Sequence, residues 1–109
     1  MAEFYTLHVD AGATWRVEFE YTNEDETVFD LTGYTAKMQF RETFDAPLAL
    51  EIDAEVDVEF GRLIFVASAA DTSTLLAATY AYAVELYGPT ETVRLVQGSV
   101  HVSPEVVRD

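Results

Sequence analysis

The sequence predicts an all-β fold, a single antiparallel sandwich or barrel, and three observations carry that expectation. Segments in which apolar and polar residues alternate recur at short intervals, with turn residues between them. No stretch sustains a helical period. Residues 30–41, DLTGYTAKMQFR, join a Thr32-Gly33 turn to a strand with Tyr34, Ala36, Met38 and Phe40 on one side and Thr35, Lys37, Gln39 and Arg41 on the other. A strand so divided has one face on a core and one in water.

Taken in order, residues 4–9 form the first and weakest strand. TWRVEFEY, residues 14–21, follows with Trp15, Val17, Phe19 and Tyr21 on one face and Arg16, Glu18 and Glu20 on the other. TNEDE, residues 22–26, reads as a hairpin loop whose Asn and Asp side chains cap their own backbone, with a short return strand over 27–31. After the strand at 34–41 comes a loop at 42–47. LALEIDAEVDVEF, residues 48–60, alternates throughout but exceeds the usual strand length, so a break is expected near Asp53-Ala54. Gly61-Arg62 turns into LIFVAS, a continuous apolar run of the kind covered on both faces. Ser68 to Asp71 resembles a capping box with Asp in the Glu place, and predicts a helix of one or two turns over 71–77. Residues 79–87 alternate again with Tyr80, Tyr82, Val84 and Leu86 inward, and Gly88-Pro89-Thr90 makes a turn. In the last strand, 92–102, the apolar parity changes between Leu95 and Val96, which predicts a bulge around Gln97-Gly98.

A chain of 109 residues with half of them hydrophobic is expected to form one domain, over residues 1–109, around one core. Without cysteine that core stands on packing alone. Neither a signal-like start nor an apolar stretch of spanning length is present, so a soluble protein without an export signal is expected. Twenty acidic residues against six basic ones give a formal charge of −14. That charge repels phosphate backbones and anionic lipid, so no nucleic acid and no membrane is expected as partner, whereas a basic protein surface is a suitable one.

Five acids, Glu51, Asp53, Glu55, Asp57 and Glu59, share one parity. On an unbroken strand they would stand about 6.7 Å apart, roughly twice the axial phosphate spacing of a DNA strand, as a DNA mimic requires. Their simpler role is a solvated strand face that resists edge-to-edge aggregation, and the expected break would scatter them. Asn23, Glu24, Asp25, Glu26 and Asp30 could gather oxygens round calcium, but the spacing and glycine of an EF-hand are absent, so a solvated loop is the simpler reading. His8 and His101 are far apart in sequence, and Ser99 has no nucleophile elbow around it, so neither a catalytic set nor a cofactor is expected. The isolated glycines offer no phosphate cradle. Tyr5, Trp15, Tyr80, Tyr82 and Tyr87 could stack on sugars, but inward parity makes most of them core. Tyr87, of opposite parity to Tyr80 and Tyr82, joins Phe29 and Phe44 as expected protein-contact residues.

The order of DLTGYTAKMQFR, LALEI, GRLIFVAS, ATYAYAVELYG and ETVRLVQGSVHVSPEVVR resembles small virion proteins of tailed bacteriophages, which are themselves similar to the N-terminal β-sandwich module of upper baseplate proteins. The likeness spans residues 15–108. It implies an immunoglobulin-like antiparallel sandwich, here of seven to nine strands with one short helix, and brings no catalytic residues. It also implies a structural role in the tail or baseplate or on the head, with other virion proteins or further copies in a symmetric lattice as partners. The chain departs from the baseplate pattern in ending at Asp109, where a modular protein would continue, and in its acidity; both fit a stand-alone accessory or decoration subunit. Lys37, Gln39 and Arg41 are then expected to meet an acidic neighbour, such as the 51–59 row of another copy. Residues 1–9 are expected to add a strand to a neighbour, and residues 103–109 to extend onto a partner. An acidic inhibitor of a basic cleft and a carbohydrate-binding module are the alternative functions.

Overall fold

The alternation seen in the sequence is realised as eight strands and one short helix in a computed structural model that describes residues 3–104. The strands are β1 (Glu3–Asp10), β2 (Trp15–Glu20), β3 (Thr35–Arg41), β4 (Leu48–Asp53), β5 (Glu55–Asp57), β6 (Arg62–Ala67), β7 (Thr79–Tyr87) and β8 (Thr92–Ser103), with α1 (Ala69–Thr72) before β7. They form a five-stranded sheet in the order β1-β8-β7-β3-β4 and a three-stranded sheet in the order β2-β6-β5. The expected all-β sandwich is therefore present. Its pairings are antiparallel except one: β1 lies parallel to β8, from Glu3 opposite Val96 to Asp10 opposite Ser103. The segment expected to reach a neighbour's sheet thus lies on its own, and residues 1–2 and 105–109, which include most of the expected C-terminal extension, fall outside the described residues.

The core lies between the sheets. Ala36, Met38 and Phe40 from β3 and Tyr80, Tyr82, Val84 and Leu86 from β7 face Leu63, Phe65 and Ala67 from β6, all buried as their parity requires. Phe40 carries the contact across the layers, with its ring edge-on to Trp15 of β2 at 5.9 Å and to Tyr82 at 6.4 Å. The break in the long acidic segment falls at Ala54, whose N–H still donates to Ala36 of β3 at 3.0 Å before the chain crosses to the smaller sheet. The β-bulge of the last strand sits at Leu95, because Val84 pairs with Val96 and the next residue, Glu85, with Arg94. That is two residues before the expected place, and it is where the buried parity changes.

Three local expectations are corrected. Residues 27–31 make no return strand, only a single bridge from Val28 to Thr22. Their backbone is used locally instead: Asn23 N–H donates to Thr27 O, Phe29 N–H to Tyr21 O, and Thr32 N–H to the Asp30 carboxylate. The segment plugs the end of the sandwich with Leu31, which is fully buried. The apolar run in β6 is covered on one face only, since Val66 remains 49% exposed on the outer side. Finally α1 starts two residues before the expected helix and ends sooner, although Ser68 caps it as read, accepting a bond from Asp71 N–H at 3.1 Å.

The one buried polar side chain among the described residues, Thr72, ties α1 to the β1–β2 turn. Its hydroxyl accepts from Gly12 N–H at 3.1 Å and donates to Ala13 O at 2.8 Å, with Ala69 O at 3.2 Å. Valine has nearly the same shape but satisfies neither partner. Thr72→Val should therefore cost about 2 kcal/mol in urea unfolding, while Thr72→Ser, which keeps the hydroxyl and loses one methyl, should cost about 1 kcal/mol. Equal stability of Thr72→Val and the parent would show that the hydroxyl does not hold the turn.

Candidate functional site

Alternation sends every second residue of the five-stranded sheet outward, and the strand registers set those residues in rows. Glu51 of β4 lies opposite Gln39 of β3, which lies opposite Ala83 of β7, then Gln97 of β8, then Phe4 of β1. One row along, Arg41 lies opposite Ala81 and then Ser99. On the other side, Asp53, Lys37, Glu85 and Arg94 follow one another. The middle of this face is low because β7 contributes alanines there, while longer side chains stand on both sides. A groove of about 170 Å³ results, with Ala81 and Ala83 in its floor and Arg41, Phe44, Arg94 and Gln97 among its walls. Phe44, from the loop after β3, is 79% exposed.

The charges on this face separate into two groups. Lys37 Nζ lies 2.9 Å from Glu51 and 3.9 Å from Asp53, and Gln39 donates to the other oxygen of Glu51 at 3.1 Å. The hydrogen bond to Glu51, reinforced by the charges of Glu51 and Asp53, raises the pKa of Lys37 above the usual lysine value, and the same bond lowers that of Glu51. Within the chain, Lys37 and Gln39 thus already engage Glu51 and Asp53 of the acidic segment, because β4 folds back beside β3.

Arg41 behaves differently. It donates to Ala46 O at 2.8 Å and to Gln39 Oε1 at 3.1 Å, which holds its guanidinium at the groove; among the described residues it forms no ion pair, although its charge adds to the lowering of the Glu51 pKa. Arg94 donates only to Gln97 Oε1, at 3.4 Å. The remaining described basic side chains have acidic partners: Arg16 lies 3.0 Å from Glu18 and Arg62 3.4 Å from Glu20, as Lys37 lies 2.9 Å from Glu51. Among the described residues, then, Arg41 and Arg94 alone lack a carboxylate, and both line the same groove.

The other expected site residues are dispersed. Glu51 and Asp53 belong to the larger sheet, Glu55 and Asp57 to the smaller one, and Glu59 to the turn beyond it, so no row of five forms. Phe29 is half-buried, with its ring 4.6 Å from Tyr21 and 5.5 Å from Tyr34, and so is less open than Phe44. Tyr87 lies on the outer face beside Thr35 and is half-buried rather than open. Burial, with the charge of Glu85 adding to it, raises its pKa. In the 22–30 loop Asp25 accepts from Thr27 N–H and its hydroxyl, and Asp30 from Thr32 N–H, so both carboxylates are spent on turns and titrate below the usual range. Among the described residues no group of three metal-binding side chains converges. Tyr80 and Tyr82 are in the core, which leaves no platform of coplanar rings with Tyr5 and Trp15.

Sequence reasoning missed Arg94 and Gln97, because the bulge at Leu95 reverses which residues of β8 face outward. It also missed the meeting of His8 and His101, whose rings stand 5.4 Å apart across the parallel β1–β8 pair, with His101 Nδ1 2.8 Å from Thr79 Oγ1. At the same edge of the sandwich an open cleft of about 520 Å³ runs between β1 and β2, lined by Leu7, Phe19, Tyr21 and Leu95 among others. Among the described residues no helix is long and apolar enough to cross a membrane. No protein-family model matches the chain, and no curated protein matches it.

Proposed function

We propose that this domain is a non-catalytic structural module whose contact surface is the outer face of the five-stranded sheet. One observation carries the reading: an almost fully exposed phenylalanine, Phe44, stands over an alanine-floored groove beside Arg41 and Arg94. Aromatic residues and arginine are the types enriched at protein contacts and at their energetic centres. Catalysis has less support, since the Thr79–His101 bond lies on an exposed face, and among the described residues no carboxylate is hydrogen-bonded to the imidazole, whose ring neighbour is His8.

The resemblance of residues 15–108 to tailed-phage virion proteins is the support for reading the domain as part of such a particle, as a tail or baseplate accessory or a head-decoration subunit. A DNA mimic has lost its main support, because its carboxylates are divided between two sheets. Quantitative mass spectrometry of purified particles tests the assignment. The chain should be present at fixed stoichiometry, and Phe44→Ser should lower incorporation about thirtyfold, as the loss of about 2 kcal/mol at an aromatic anchor implies. Recovery of the parent only from the soluble lysate would overturn the virion role. Full incorporation of the folded Phe44→Ser variant would overturn the choice of face.

A further inference from the structure

Given the proposed contact face, the chemistry of its partner follows from the charges. A chain with 20 acidic and 6 basic residues has a surplus of carboxylates, and at Arg16, Lys37 and Arg62 one lies beside the cation. Among the described residues the two exceptions, Arg41 and Arg94, share one groove. Arg41 is already held in place by Ala46 O and Gln39 Oε1, so little side-chain entropy remains to be lost when it binds. Guanidinium groups favour carboxylates, which they can engage through two parallel N–H bonds.

We infer that the groove receives a short acidic segment of a different protein, with its carboxylates on Arg41 and Arg94 and an apolar neighbour against Phe44 and the floor of Ala81 and Ala83. A volume of about 170 Å³ admits side chains rather than a folded domain. Among the residues that line the groove, Arg41 and Arg94 stand against Glu85 alone, so its lining carries a net positive charge against a chain total of −14. A second copy of this chain is a poorer occupant. Two bodies of charge −14 repel, and Glu51, the carboxylate closest to hand, is committed to Lys37 and Gln39.

The test is fluorescence anisotropy with a short labelled peptide of alternating glutamate and valine, beside glutamine–valine and lysine–valine peptides of equal length. Only the acidic peptide should bind, and more weakly as salt rises. Arg94→Gln, at an exposed position, should weaken it about tenfold, as should Arg41→Gln, whereas Arg16→Gln on the outer face of the smaller sheet should change nothing. Equal binding of the glutamine peptide, or insensitivity to Arg94→Gln, would overturn the inference. So would sedimentation showing this face closed by a second copy. If Phe44→Ser abolishes incorporation into particles while the acidic peptide fails to bind, the contact face stands and the partner's chemistry falls; if Phe44→Ser is incorporated normally, both fall.

Discussion

Gly98→Ala should lower stability by about 3 kcal/mol or more, a midpoint shift of roughly 10–20 °C for a domain of this size. Gly98 lies in β8 between Tyr5 of β1 and Tyr82 of β7. A Cβ placed there would overlap the Tyr5 carbonyl oxygen and approach its carbonyl carbon to 3.1 Å. These are backbone atoms of a paired strand and cannot rotate away. Relief requires β1 to move off β8, which exposes Val9 and breaks the 2.9 Å bond from the Tyr82 hydroxyl to Tyr5 O. Gly88 gives the contrast. The nearest atoms a Cβ there would meet all belong to the Tyr34 ring, the closest at 2.5 Å, so relief takes a shift of one side chain, against its hydrogen bond to Glu91 and its contact with Phe29, and not of a paired strand. Gly88→Ala should therefore cost about 1 kcal/mol, toward the lower end of what overpacking costs. Chemical denaturation checks the difference, and hydrogen exchange should show amides of residues 4–9 losing protection in Gly98→Ala before the rest. A Gly98→Ala variant within about 0.5 kcal/mol of the parent would mean that β1 contributes little to the fold.

The same strand marks the limit of what periodicity conveys. Alternation determines which residues of a strand face the core, and it did so for Ala36, Met38 and Phe40 and for Tyr80, Tyr82, Val84 and Leu86, all buried. It says nothing about which strand lies alongside or in which direction, so the parallel union of β1 with β8 was not legible. The break at Ala54 was legible because it depended on length, a local property. That the break moves the chain from one sheet to the other depends on the return of β4 beside β3, which no local pattern carries. Residues 27–31 failed for a different reason. TVFDL is rich in strand-forming residues, but the left-handed Glu26, with φ of 68°, and the Asp30 turn divert its backbone bonds into the loop.

The candidate site shows the same division. Lys37, Gln39 and Arg41 lie on the outward parity of β3 as expected, since parity suffices for that, whereas Tyr87, placed outward by the same parity, is half-buried and Phe44 is the more exposed ring. What distinguishes Arg41 from Lys37 is tertiary. One lies beside a strand that brings Glu51, the other beside a loop carbonyl. Arg94 enters the groove only through the one-residue shift at Leu95, so its part could be found once the register was known and not before.

Phe40→Ala should cost about 3–5 kcal/mol, the range for emptying a buried aromatic position. Against the 5–15 kcal/mol typical of a domain, that brings the fold close to its limit. Phe40 is completely buried; its edge contact with Trp15 joins the two sheets, and its contact with Tyr82 packs it against the neighbouring strand β7. Phe40→Leu keeps most of the volume while losing those ring contacts, so it should cost about 1–2 kcal/mol. Trp15 reports the difference directly: its emission should shift to the red in Phe40→Ala as water reaches the vacated side, and little in Phe40→Leu. Phe40 also lies between Gln39 and Arg41 in β3, so its packing fixes the strand that carries Arg41 to the groove. Phe40→Leu should therefore retain acidic-peptide binding, while Phe40→Ala loses binding and stability together. A loss of less than about 1 kcal/mol in Phe40→Ala would show that the sheets adhere elsewhere, and binding retained by that variant would show that the outer face does not depend on this part of the core.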